Sequence, residues 1–144
     1  MTRPIAIAAI WDRTQVDPEL ELRIYRQVKG AFGVNELNMT PVAPWLEGGG
    51  ATQFDTLQEA VDGSFAGAPC VRAFLCPSGD CNLEDIPVGD DPLVLVVGDT
   101  KTSPASLAGP GDFVVNLPAP FPVELYGVSA AAAALAELYR TGRL

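Results

Sequence analysis

Histidine does not occur in this 144-residue chain. Its absence removes the commonest general base and the commonest metal ligand, and with them every Ser-His-Asp or Cys-His mechanism. Cysteine is scarce: Cys70, Cys76 and Cys81 stand at spacings that fit neither a CxxC redox pair nor a tetrahedral zinc set, so they read as buried or idle thiols. Positive charge is also short. Nine basic residues against 18 acidic ones leave a net charge of −9, and such a field repels polyanions, which counts against generic nucleic-acid binding. No apolar run approaches the roughly 18 residues of a membrane span, and the first residues show no basic region, apolar core and cleavage site of a signal peptide. The expectation is a cytoplasmic protein that does not engage a membrane. Asp80, Glu84, Asp85, Asp90 and Asp91 lack the alternating spacing and glycine of a calcium loop and read as a solvated acidic connection. Gly48, Gly49 and Gly50 have no strand-to-helix GxGxxG or GxxxxGK[ST] pattern around them and read as a loop rather than a phosphate cradle. No metal site is expected.

What the chain does have is core material, with 48% apolar residues in a length suited to one domain, 1–144. Ile5 to Ile10 is a short apolar run without helical period and reads as a buried first strand. Asp17 is a fitting N-cap, Pro18 suits the first helical position, and Glu19 and Glu21 complement the helix dipole. Leu20, Ile24, Val28 and Ala31 are expected to form the buried stripe of that helix, with Gly33 as its stop. Glu36 to Val42 reads as a second strand that Pro41 disrupts. Asp55 with Gln58 resembles a capping box opening a short helix that turns Leu57, Ala60 and Val61 inward and ends near Gly63. Cys70 to Cys76, Leu93 to Val97 and Phe113 to Leu117 complete five expected strands, and an Ala-rich helix from about Val128 to Arg140 closes the chain. Strands separated by helical segments predict an α/β fold, a mainly parallel sheet with helices on both faces.

In an open α/β sheet, ligands bind outside the carboxyl ends of the strands. Small residues gather at three such places: Val97, Gly98 and Asp99 after one strand, Asn116, Leu117 and Pro118 after another, and Gly127, Val128 and Ser129 where the last helix opens.

Read in order, LVLVVGDTKT, DFVVNLPAP and ELYGVSAAAAALAELY are similar to the three C-terminal motifs of the SpoU branch of the SPOUT RNA methyltransferases. Gly98 matches the glycine of the first, Leu117-Pro118 the Ile-Pro of the second, and Val128-Ser129 leading into Ala130 to Ala134 the start of the Ala-rich helix in the third. Upstream, DPELELRIYRQVKGAFGV, from Asp17 to Val34, resembles the family's first motif. The resemblance implies a C-terminal trefoil knot, a homodimer packed through the first and last helices, and S-adenosylmethionine held by backbone groups of the three turns. It places the cofactor against Val97, Gly98, Asp99, Asn116, Leu117, Pro118, Gly127, Val128 and Ser129, and it implies tRNA or rRNA as methyl acceptor, a partner the net charge disfavours.

The same comparison shows departures. The family's first-motif Asn and Gly fall on Leu20 and Leu22, its second-motif Glu on Thr100, and the Asn of its third motif on Gly127. Its Arg corresponds to Arg26 once one extra residue is allowed. Three groups remain for the chemistry: Arg26 to organise a phosphate, Asp99 to accept a proton and Ser129 to orient a substrate. Each has a plainer reading, with Arg23, Arg26 and Lys29 as a solvated basic stripe, Asp99 as a turn former and Ser129 as a helix cap. Trp11 and Trp45 suit core or dimer packing better than base stacking. Three readings stay open: an RNA 2′-O-methyltransferase, a catalytically inactive SPOUT-like binding or scaffold protein, and an unrelated flavodoxin-like nucleotide-binding domain.

Overall fold

Strand β1, Ile5–Ile10, is buried along nearly its whole length in the computed structural model, which describes residues 3–13, 17–32, 38–46, 53–87, 89–98, 103–117 and 125–144. Around it lies one six-stranded sheet of β2 (Asn38–Val42), β1, β5 (Leu93–Val97), β3 (Val71–Leu75), β6 (Phe113–Asn116) and β4 (Cys81–Asn82), in that spatial order. Every pairing is parallel. The α/β expectation therefore holds, with one strand more than the sequence suggested.

The order carries a topological consequence. The chain sets β1 beside β2, then leaves for β3 and β4, and only afterwards returns to place β5 between β1 and β3 and β6 between β3 and β4. The last two strands fill gaps. Both are therefore central, and β5 is buried on both faces as an uninterrupted apolar run, which is the pattern a parallel strand needs when helices cover both sides.

Alternation along the strands divides the core in two. Ile5, Ile7, Ala9, Ala73, Leu75, Leu93, Leu95, Val97 and Val115 face one layer together with helix α1 (Pro18–Ala31) and helix α3 (Gly127–Arg140). Ala6, Ala8, Phe74, Val94 and Val96 face the other, beneath helix α2 (Leu57–Ser64). Alanines at 130, 131 and 134 of α3 are buried, so that the helix seats close to the sheet. Trp11 is buried in the first layer, and the Trp45 indole packs against it and donates to the Trp11 carbonyl at 3.4 Å. Both tryptophans serve packing.

Several local expectations are met and several are corrected. Asp17 caps α1, its carboxylate accepting from the Leu20 amide at 3.1 Å. The buried stripe of α1 is Leu22, Tyr25 and Val28 rather than the one beginning at Leu20, which is 47% exposed, as Ala31 is also exposed. The two stripes share Val28, and Tyr25, whose polar tip disguised it, decides the phase. Pro41 stays within β2, because β2 is an edge strand and its missing N–H costs no ladder bond on the open side. The cap of α2 is Thr56, whose hydroxyl accepts from the Glu59 amide at 3.2 Å, while Glu59 reaches back to the Asp55 amide. Gly63 lies inside α2 instead of ending it, where the Phe54 ring occupies the space a Cβ would need. The acidic stretch is partly structured: β4 and a single 3-10 turn at Leu83–Asp85 bury Leu83 and Ile86. A second 3-10 turn spans Pro104–Leu107. Gly33, Glu36, Leu37, Gly48, Gly49 and Gly50 lie outside the described residues.

Two arginines hold the segment between β4 and β5 from opposite ends of the chain. Arg3, 9% exposed, donates to the Asp91 carbonyl at 2.8 Å and the Pro87 carbonyl at 2.9 Å. Arg143, just past α3, donates to the Ile86 carbonyl at 2.7 Å and the Leu83 carbonyl at 3.3 Å. These carbonyls lie outside the sheet ladders and are served by the guanidinium groups, the Leu83 carbonyl also accepting from the Ile86 amide at 3.2 Å. Arg143→Met is expected to destabilise the protein by about 1.5–3 kcal/mol, the usual worth of hydrogen bonds to a charged group. Urea unfolding would show it as a lower midpoint at unchanged slope; an unmoved midpoint would mean that water replaces the guanidinium freely. Among the described residues no helix is long and apolar enough to cross a membrane.

Candidate functional site

The carboxyl ends of β5, β3 and β6 lie side by side on one edge of the sheet. Phe74 is level with Val96 and Leu75 with Val115, so β5 and β6 finish at the same height on either side of β3. At this edge the chain brings together two of the turns singled out in the sequence, and it adds a third element between them.

The first turn begins at Val97 and Gly98, both buried. Val97 is part of the core, so its side chain is committed to packing and only its backbone faces the edge. Gly98 meets Gly127, the first residue of α3. A Cβ on Gly127 would overlap the Gly98 carbonyl oxygen and stand 3.0 Å from Val97 Cγ2 and 3.2 Å from the Tyr25 hydroxyl. Glycine is required at 127 by this close approach and by nothing else, since its backbone conformation is an ordinary one. The two turns are thus in direct backbone contact.

Helix α3 starts without a side-chain cap. Its N-cap residue is Tyr126, which makes no side-chain capping bond, and Ser129 lies in the first turn, exposed, rather than at the cap position. The reading of Ser129 as a cap is therefore corrected. The first amides of an α-helix have no partner within the helix, and with the positive end of the dipole they form the arrangement that receives anionic or polar ligand groups. Val128 behind them is buried in the core and anchors the turn.

At the other flank, β6 ends in Asn116, which is exposed, and Leu117, which is half-buried against the core. Between the flanks lies the carboxyl end of β3, which the sequence reading did not single out. Cys76 is buried there, its Sγ 3.2 Å from the Ser78 hydroxyl and 3.4 Å from the Ser103 hydroxyl, and its amide donates to the Val115 carbonyl at 3.0 Å. Gly79 continues the turn so close to β6 that a Cβ would come within 2.6 Å of the Val115 carbonyl carbon. The thiol and two hydroxyls tie the segment following β5 to the tip of β3. The PSGD run at Pro77 to Asp80 was the available sequence signal, since a glycine in such a run marks a close backbone approach.

Arg26 does not join this group. It lies on the exposed face of α1 and makes no hydrogen bond or ion pair with a described residue, while its neighbour Tyr25 points inward at Gly127. Arg23 on the same side pairs with Glu19 at 3.7 Å, an exposed pair of the kind that contributes little. Asp99, Thr100 and Pro118 lie outside the described residues. No cluster of three or more His, Cys, Asp or Glu among the described residues is placed to hold a metal ion, and all three cysteines are free thiols.

Tyr25 is the group that sequence reasoning missed. Its ring is 1% exposed, its hydroxyl has no hydrogen-bond partner among the described residues, and burial, with the charge of Glu21 adding to it, pushes the phenol well above its ordinary range. It is a neutral donor at every physiological pH.

Neither protein-family models nor curated proteins give a match to this sequence. Solved structures do. The SpoU methyltransferase AviRb from Streptomyces viridochromogenes superposes with a TM-score of 0.63 at 18% identity, over 99% of this chain and 61% of that one. Its complex with the cofactor AdoMet gives 0.62 at 20% identity, over 99% and 60%. The fold is that of the SpoU methyltransferases. A further structure of this fold, described for the 2-OH methylation of C/U34 on tRNA, matches with a TM-score of 0.57 at 15% identity, over 97% of this chain and 92% of its own. The chain thus spans about three fifths of AviRb, and it is nearly coextensive with the tRNA-related SpoU-fold structure. A flavodoxin-like architecture is no longer needed to explain the alternation of strands and helices.

Proposed function

We propose that the protein binds S-adenosylmethionine across the carboxyl edge formed by the Gly98, Asn116–Leu117 and Gly127–Ser129 turns, and that it is an RNA ribose methyltransferase of the SpoU type. One observation carries the reading: Gly127 at the uncapped start of α3 is seated on the Gly98 carbonyl at the end of β5, so two ligand-facing backbone segments are held in fixed register. The AdoMet complex of AviRb supports the choice of ligand. From the sequence resemblance we further propose that the C-terminal segment is knotted and that the protein is a homodimer, acting in the cytoplasm.

The residues present suit this cofactor through their backbone. Small residues leave amides and carbonyls reachable, the first turn of α3 offers N–H groups without a partner in the helix, and buried Val97 and Val128 anchor both turns in the core. When bound, S-adenosylmethionine supplies the methyl group on its sulfonium. Ser129, exposed in the first turn of α3, is positioned to orient a substrate hydroxyl, and Arg26 on the outer face of α1 offers a cation to an RNA phosphate. Asp99 is the proposed proton acceptor.

A second reading, a SPOUT-like protein that binds without methylating, is favoured by a specific contact. Where the family resemblance expects an Asn side chain, Gly127 leaves no room even for a Cβ, so an amide cannot act from that position. Calorimetric titration with S-adenosylmethionine, followed by a methyl-transfer assay on bulk tRNA and rRNA, separates the two. Saturable binding with label incorporated into RNA is the expected result. Binding without transfer would move the protein to the second reading, and no binding would remove the cofactor from this edge.

A further inference from the structure

We propose that Tyr25 is a positioning residue for the ligand of these turns: its hydroxyl, lodged beneath the Gly98–Gly127 contact, takes the Gly98 carbonyl as its acceptor when the turns close on S-adenosylmethionine. The inference rests on the ligand reading above and extends it to a residue that lies inside the first-motif segment but matches none of the positions named for it.

A phenol buried to 1% exposure normally has a partner, because an unmade hydrogen bond leaves the full desolvation cost of the group. Among the described residues Tyr25 has none, although its ring is buried in the core cluster that also holds Leu22, Val28 and Val97. The hydroxyl is aimed at the seam between the two turns. The place where a Gly127 Cβ would stand is 3.2 Å from the Tyr25 oxygen and overlaps the Gly98 carbonyl oxygen, so donor and prospective acceptor lie close to the same point. The proposed bond needs the Gly98 carbonyl to rotate toward the phenol. Glycine tolerates such a rotation better than any other residue, and Gly98 is where the motif places one. Burial keeps the phenol protonated, so it remains a donor whatever the pH.

The unmade bond is a cost carried by the protein alone and recovered with ligand, so Tyr25→Phe has effects of opposite sign in the two situations. Without ligand the variant unfolds at the same temperature as the parent or a higher one, since the orphan hydroxyl is gone and the ring remains. With S-adenosylmethionine its affinity falls about tenfold, equivalent to ~1.4 kcal/mol. A residue that merely filled the core would keep its packing in Tyr25→Phe and leave the dissociation constant where it was, so the affinity is what separates the two roles.

The experiment is a pair of calorimetric titrations with S-adenosylmethionine and a pair of thermal melts, on the full chain and on Tyr25→Phe. A spectroscopic readout accompanies them: with only three tyrosines in the sequence, carbon-13 labelling of the ring Cζ gives three resonances, and the one missing in Tyr25→Phe is assigned to residue 25. That resonance is expected to shift on titration of the parent while those of exposed Tyr126 and Tyr139 report only surface effects. A parent that binds, with a variant of equal affinity or an unmoved resonance, overturns the role of Tyr25 and leaves the ligand reading intact. A parent that does not bind overturns both.

Discussion

Gly127→Ala is expected to lose most of its affinity for S-adenosylmethionine while keeping its helical content. The added Cβ would overlap the Gly98 carbonyl oxygen, and the atoms that must give way are backbone rather than the end of a flexible side chain. Overpacking of this kind costs roughly 1–3 kcal/mol. The helix behind the substitution has thirteen further residues and a buried face of Val128, Ala130, Ala131, Ala134, Leu135 and Leu138, so it does not melt; it shifts outward. The displacement separates the two turns that are to grip the ligand together, and binding by preorganised backbone is sensitive to errors of under an ångström. Circular dichroism should show an unchanged spectrum with a melting point a few degrees lower, while calorimetry should show binding weakened by at least about tenfold. Equal affinity in parent and variant would take the start of α3 out of the site. Gly127→Val would sharpen the result, because two further methyl groups meet Val97 and Tyr25 as well.

Phe74→Ala is expected to bring the largest loss of stability. Phe74 is fully buried on β3, on the layer opposite the proposed site, among Ala6, Ala8, Val94, Val96, Ala60 and Val61. The fully buried members of that cluster are small or β-branched, and the larger Phe54, Leu57 and Phe65 pack against it only from its partly exposed margin, so much of the cavity persists. Truncating a buried phenylalanine costs about 3–5 kcal/mol, a large share of the roughly 5–15 kcal/mol that holds a domain together. A thermal melt should show a drop on the order of 10 °C. Tyr139→Ala, at a position 71% exposed, is the natural control and should stay within about 0.5 kcal/mol of the parent. If Phe74→Ala melts with the control, the α2 layer is not a packed core.

Much of the fold was legible in the sequence because its central strands are buried on both faces. β1 and β5 were located to the residue, since an apolar run without helical period has no other comfortable home. Asp17 and Pro18 announced α1 through requirements local to the chain itself. What escaped depended on distant partners. β4 is two residues long and is held by β6 alone, so nothing within Cys81 and Asn82 signals a strand. The face of α1 was misphased because Tyr25 has a polar end, and only its packing shows that the end is buried. The same is true of the candidate site. Gly98, Gly127 and Ser129 were marked by their place in the order of elements, whereas the contact between Gly98 and Gly127 belongs to two segments brought together by the fold. Arg26 is the converse case: the motif selects it, and the fold sets it on the outer face of α1, away from the seam that its neighbour reaches.

The spatial order of the strands also bears on how the chain comes to fold. Of the four strands made before residue 86, only β1 and β2 hydrogen-bond to one another; β3 and β4 have every ladder partner in β5 or β6. During synthesis the first half of the protein therefore emerges with a strand pair on one side and two unpaired strands on the other, and no sheet can join them until Leu93 to Asn116 has left the ribosome. Such closure by late, non-local parallel pairing is slow and exposes apolar edges while it waits. The segment that completes the sheet also carries the Gly98 and Asn116 turns, so the proposed binding edge cannot assemble before the last strands are in place and α3 has docked behind them.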